Sequence, residues 1–399
     1  MSEDNRFRLL DLPFPFQAAL SICSDIDGTS WDDFLSIHKF LNSEKTTPLG
    51  KGLKLPVDDS FWCYDNPSYP NAAFSYFKPD KITPSEFAPQ IRLLIRAGIL
   101  DVMHSYGNFV SEDEFSRELA ARALEEIDRH HLKIDVWTNH GGAESVQNIG
   151  AATLGKGDLP DENNRYYHSD LLIDFGVKFY WDSEQSLTPV VGQDRKASWA
   201  DYFANNPLYF SRREKTKALL KGVLSFIPDF AKDNLIRNRV IIPDKKSGND
   251  LFEVDALRDN RKIFKIRRFG SGKYDWSDDL PNLLNDRVLK KLLRSRGKMI
   301  VYVHMGDRHE KSDEFPLSQE TVDRFRQIAD LFHREILWVA TTRQLLTFSL
   351  VKKYLTWTIE ENEYHYLIKI KGMKKAGIPF ELSPKDLQGI SFSLPDNKE

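Results

Sequence analysis

The chain reads as an α/β fold, a distorted (β/α) barrel of seven or eight strands with a small C-terminal β appendage. Three observations predict it. Short apolar, partly β-branched segments alternate with amphipathic helical ones, the pattern of a parallel sheet covered by helices. Several of those strands end in polar residues close to a glycine. Beyond about residue 351 the texture changes to the two-residue alternation of an antiparallel hairpin.

The first strand is AALSICSDID, Ala18 to Asp27, apolar until its acidic tip and closed by Gly28. Thr83 as N-cap, Pro84 and Glu86 form a capping box that opens a helix, with Pro89 placed to delay or kink it and Gly98 to stop it. Ile99 to His104 is the second tipped strand. Ser111 and Glu114 make another capping box, and Phe115, Leu119, Ala123 and Ile127 share one helical face. KIDVWTNHGG supplies a third strand, and YYHSDLLIDFG reads as a short helix closed by Gly176 before the strand VKFYW. Later come the strand KMIVYVHMG, a helix marked by Val322, Phe325, Ala329 and Phe332, and the strand ILWVATT. The stretch 206–262 breaks this rhythm and reads as an insertion over one barrel end. The barrel is therefore assigned to 1–350, and LTWTIEENEYHYLIKIKG with GISFSL to an antiparallel appendage over 351–399.

Composition narrows the function. Among 399 residues, 56 basic side chains face 59 acidic ones for a net charge of −3, which leaves no electrostatic footprint for nucleic acid. No apolar run approaches the ~20 residues of a membrane span, and Met1 to Gln17 lacks a signal-like apolar segment; a soluble, cytoplasmic protein without a membrane partner is expected. Cys23 and Cys63 alone make neither a disulfide framework nor a zinc finger.

Side chains two apart on a strand share a face, so Cys23, Asp25 and Asp27 project together while Ile22 and Ile26 turn to the helices. Two neighbouring carboxylates repel unless a cation or a shared proton intervenes, which points to a metal site or an acid/base dyad. His104 closes its strand with Asn108 four residues later, a spacing that allows chelation of a divalent ion by imidazole, carboxylate and amide oxygen. His140 in TNHGG and His304 in YVHMG occupy comparable strand ends. His38, His130, His131, His309, His333 and His365 lack that setting and read as structural or surface residues. His168, at the start of a short helix, is a cap or a pocket residue. Trp137, Tyr180 and Trp181 offer aromatic faces that suit a sugar ring or the core. RRFGSG matches no phosphate-loop glycine spacing and is left without a role.

Two resemblances follow. SDIDGT matches the D-x-D-G-T opening of haloacid-dehalogenase-like phosphatases, with Asp307 and Asp313 available for the later acidic motif, but that family leaves the strand-end histidines unexplained. The order of acidic tip, HSYGNF, WTNHGG, YHSDLL with GVKFYW, VYVHMG and ILWVATTRQLL resembles divergent members of the polysaccharide deacetylase superfamily over most of the chain. That resemblance implies a distorted barrel binding zinc, or manganese, cobalt or nickel, through Asp27 and His104. It also implies Asp25 as base and His304 as acid; His140, Trp137, His168 and Trp181 are expected to touch a saccharide substrate. The sequence departs from the family's H-S-x-x-H at Asn108, so the third ligand is Asn108, His140 or water. The expected reaction is removal of an acyl group, acetyl foremost, from a sugar. The alternatives are a glycosidase needing Asp182 or Glu184 as a second carboxylate, the phosphatase, and a barrel that binds carbohydrate without turnover.

Overall fold

The first strand, β1 (Ala18–Ser24), is buried at all seven positions, as its near-continuous apolar sequence requires for a strand in the middle of a parallel sheet. The computed structural model describes residues 7–394 apart from 187–249 and the short stretches 70–71, 110–113, 141–144, 152, 184, 271–274, 309–314, 362–364, 375–376 and 379. Around β1 stand β2 (Asp58–Phe61), β3 (Leu100–His104), β4 (Val136–Thr138) and β5 (Phe179–Trp181). They are followed by β6 (Phe252–Ala256), β7 (Lys262–Ile266), β8 (Arg268–Phe269), β9 (Lys298–Val303) and β10 (Leu337–Val339). Together with Gln185–Ser186 they form an 11-stranded sheet in the order β6, β7, β5, β4, β3, β2, β1, β9, β8 and Gln185–Ser186, with β10 also on β1. Every pairing is parallel except the β6–β7 hairpin. The fold is thus mixed α/β with a large, mostly parallel central sheet flanked by helices.

Strand alternation sorts the core into layers. Ala19 and Cys23 of β1, Val102 of β3, Val136 of β4, Phe179 of β5, Phe264 of β7 and Ile300 of β9 gather in one cluster. Their neighbours Met103, Trp137 and Tyr180 face a second cluster, and Ile22 and Val301 a third, against the helices. The helices are α1 (Trp31–Asn42), α2 (Ala88–Ala97), α3 (Arg117–Arg129), α4 (Ser169–Phe175), α5 (Asp286–Arg294), α6 (Gln319–His333) and α7 (Thr342–Tyr354). Helix α3 buries Ala120, Ala123, Leu124 and Ile127, the 3.6-residue stripe visible in its sequence. Gly176 closes α4 in the left-handed conformation (φ 118°), as expected of a glycine just past a helix end.

Several boundaries differ from the sequence reading. Helix α2 begins at Ala88, not Pro84, and Pro89 occupies its first turn, where a missing N–H costs nothing. Thr83 instead joins a turn in which Asp80 accepts from its backbone N–H and hydroxyl. Helix α3 starts at Arg117 behind Ser116; Ser111 lies outside the described residues, and Glu114 takes the hydroxyl of Tyr69. Most of the insertion assigned to 206–262 falls on 187–249, outside the described residues. Its end does not interrupt the sheet but enters it as β6 and the start of β7. Helix α7 runs to Tyr354, past the expected boundary at 351. The appendage that follows is the antiparallel pair β11 (Leu355–Glu361) and β12 (Tyr366–Met373), and Phe392–Ser393 returns to pair with Arg8–Leu9. Among the described residues no helix is long and apolar enough to cross a membrane.

Candidate metal centre

Parallel strands bring their C-terminal ends to one edge of the sheet, and the polar tips meet there. Asp25 and Asp27 follow β1, His104 ends β3, His140 lies two residues past β4, and His304 follows β9. Bonds beyond the regular strands hold these tips in place. Asp25 N donates to Val303 O (2.8 Å), Ile26 N to Ser60 Oγ (3.0 Å), Ser105 N to Thr138 O (2.7 Å) and Met305 N to Ser24 Oγ (3.1 Å). Asn148 clamps the His140 backbone, accepting from its N–H and donating to its carbonyl, both at 3.1 Å.

Asp27, His104 and His140 form a group whose potential ligand atoms all lie within 4.8 Å of one another. His104 Nδ1 is 3.1 Å from Asp27 Oδ2, His140 Nδ1 is 3.6 Å from Asp27 Oδ1, and His140 Nδ1 is 3.4 Å from His104 Nε2. Ligands of a tetrahedral zinc ion at roughly 2.0–2.2 Å stand about 3.3 Å apart; the Asp27–His104 and Asp27–His140 separations are near that value, while the 3.4 Å His104–His140 contact runs through the other nitrogen of His104, Nε2. His104 Nδ1 is buried and makes no well-formed hydrogen bond despite its proximity to Asp27, as a lone pair reserved for a cation requires. Two imidazoles and one carboxylate are a borderline-soft donor set fitting zinc or a neighbouring first-row ion. Trp62 packs beside both imidazoles, with ring centroids 5.8 Å from His104 and 5.2 Å from His140.

The surrounding charges keep Asp27 ionised and burial keeps His140 neutral. Burial would raise Asp27, but His104, with help from His140 and His304, holds its carboxyl well below the usual range. Burial pushes His140 down to about 4, so it is neutral at physiological pH. Burial opposes protonation of His104 too, yet Asp25 and Asp27 outweigh it and raise its pKa. His304 Nε2 lies 3.6 Å from Asp27 Oδ2 and 3.3 Å from the Tyr302 hydroxyl. Burial would lower it, but Asp27, Asp25 and Asp275 raise it to about 9.

Neither a protein-family model nor a curated protein matches the chain.

Asp25 reaches the same edge but is held by Arg268. Nη1 of Arg268 stands 3.1 and 3.2 Å from the two carboxylate oxygens, and Nη2 lies 3.1 Å from Oδ1 and 2.9 Å from Cys23 O. The guanidinium is fully buried against the adjoining rings of Trp181 (4.4 Å) and Tyr302 (4.6 Å), whose centroids are 4.9 Å from each other. Such a planar, bidentate, stacked site is one that lysine could not fill.

The other expected residues separate. His140, expected to touch substrate or serve as third ligand, belongs to the cluster. Asn108, placed among the metal ligands, sets Oδ1 3.2 Å from His140 Nε2, on the ring edge away from Asp27. Trp181 covers Arg268. Trp137 and His168, expected to touch the substrate, are both fully buried in the core. The Trp137 indole donates to Asn139 Oδ1 (2.9 Å). His168 bonds Gln147 O through Nε2 (2.8 Å) amid Tyr106, Phe115 and Trp137, and burial lowers it to about 4. Sequence reasoning missed Arg268, Trp62, Asp65 and Tyr302. For Arg268 the signal was an arginine inside the strand-like run KIFKIRRF; Tyr302 sits two residues before His304 and so shares its face. Trp62 and Asp65 gave none.

Proposed function

We propose that the chain is a metal-dependent hydrolase that removes an acyl group, acetyl foremost, from a sugar, in the manner of the polysaccharide deacetylases its motif order resembles. The observation that carries this reading is the convergence of Asp27, His104 and His140 at one sheet edge with Asp25 and His304 beside them. The barrel belongs to the same proposal. Only Arg267 separates β7, paired with β5, from β8, paired with β9, so the path from β1 through β5 and back through β9 returns to its start. One face of these strands also fills a single inner cluster, as barrel closure requires.

A divalent ion held by Asp27, His104 and His140, zinc foremost, would supply Lewis acidity at the acyl oxygen and acidify a water. Asp25 accepts the proton of the attacking water, its carboxylate fixed in direction by Arg268, whose Nη2 is itself held by Cys23 O. His304 gives its proton to the departing amine or alcohol, so acetate and a deacylated sugar result. Proton-transfer groups of this kind contribute roughly 10²–10⁴-fold each. A glycosidase would need a second free carboxylate, but Asp182 pairs with Lys265 and Glu184 lies outside the described residues.

Acetate release from an N-acetylated amino-sugar oligomer, measured with and without added zinc, tests the reading. It is expected in the wild type, to vanish with chelator and in Asp27→Asn, and to fall at least 100-fold in His304→Gln. Stoichiometric metal binding without release of acetate from any acylated sugar contradicts it.

A further inference from the structure

Asn108 stands where the resemblance predicts a histidine ligand, and its surroundings give it another task. Its Oδ1 lies 3.2 Å from Nε2 of His140, while Nδ1 on the opposite ring edge faces Asp27 and His104. The Asn108 side chain is also a hydrogen-bond partner of Asp65, a buried carboxylate whose Oδ2 accepts from Ala73 N at 2.8 Å. Burial raises Asp65 to about 6, so at neutral pH it is chiefly ionised; an ionised carboxylate can only accept, so the amide N–H₂ of Asn108 faces Asp65 and its oxygen is left to accept from His140. Neutral imidazole carries one N–H. When Nε2 donates it to Asn108, Nδ1 holds the free lone pair.

The backbone is built for this contact. A Cβ on Gly107 would lie 2.1 Å from Tyr64 O, so only glycine lets the loop run close enough for Asn108 N to meet the same carbonyl at 3.3 Å. Tyr64 immediately precedes Asp65, so one close approach sets both members of the pair.

We propose that Asp65 and Asn108 form a relay that fixes His140 in the Nε2–H tautomer and presents its Nδ1 to the ion, making Asn108 a positioning residue and not a ligand. This rests on the metal-centre reading above. A carboxylate behind a ligating imidazole is a general means of orienting it, and losing such support costs about 10–100-fold in metal affinity; here an amide stands between the two.

Two measurements test the relay. Long-range ¹H–¹⁵N correlation spectra of the metal-free wild type report the His140 tautomer directly and need no variant that might misfold. The Nε2–H form is expected, and the Nδ1–H form overturns the proposal. Zinc affinity by competition with a chromophoric chelator is expected to weaken about 10–100-fold in Asn108→Ala and in Asp65→Ala. The double variant should be no weaker than Asn108→Ala, because Asp65 acts only through the amide. Independent, multiplying losses overturn the relay, as do wild-type affinities in both single variants. A wild type that takes up no zinc defeats the metal-centre reading instead, and the tautomer spectrum still decides the hydrogen-bond chain.

Discussion

Asp25 and Arg268 form a buried bidentate pair, with both terminal guanidinium nitrogens 3.1 Å from Asp25 Oδ1. Both side chains are withdrawn from water, 1% and 0% exposed. Removing one partner of such a pair leaves an uncompensated buried charge and costs about 3–5 kcal/mol. Arg268→Met should lose that much in denaturant unfolding of the metal-free protein. Asp25→Asn combined with it should lose less than the sum of the single variants; additive losses would show that the pair does not couple.

Substitution of the three clustered residues should separate them from the histidine and tryptophan that share their sequence signature. Asp27→Asn, His104→Gln and His140→Gln are expected to abolish stoichiometric zinc measured by elemental analysis. His168→Gln and Trp137→Phe should retain it, because those rings sit in the core. Retention in His140→Gln with loss in His168→Gln would reverse the assignment.

His304 should titrate near 9 in the metal-free protein, observable by histidine NMR. Its pKa is raised on folding, so its contribution to stability is complete below about 6.5 and disappears as pH rises through about 9. Asp27→Asn removes the largest favourable contribution and leaves burial unopposed by it, so the His304 value should drop. An unchanged titration in that variant would contradict the 3.6 Å contact.

Gly107→Ala places a methyl group 2.1 Å from Tyr64 O, an overlap with backbone that no rotamer relieves. Overpacking of this kind costs about 1–3 kcal/mol. Thermal unfolding should show the loss, and zinc affinity should fall with it because Asn108 follows directly.

How much of this was legible depended on how local the signal was. The strand tips were visible because an apolar run ending in Asp or His is a contiguous pattern, and period-two alternation correctly separated Ile22 and Ile26 from Cys23. His168 shares that look, but its fate depends on Gln147, Tyr106 and Trp137, which are distant in sequence. The third member of the cluster was ambiguous because Asn108 follows His104 by four residues, whereas His140, which joins the cluster, comes from beyond the next strand. Arg268 was noticed only as part of a glycine-containing stretch; its partner Asp25 lies 243 residues away, beyond any spacing rule. The start of α2 was misplaced because Thr83 and Glu86 imitate a capping box, whereas Asp80 captures Thr83 in a turn.

The most direct test of the central claim is anomalous diffraction at the zinc edge from crystals of the zinc-loaded wild-type protein. The account predicts one strong peak within about 2.3 Å of Asp27, His104 and His140, with Asn108 outside that distance. A peak elsewhere, or none at full zinc loading, would contradict it.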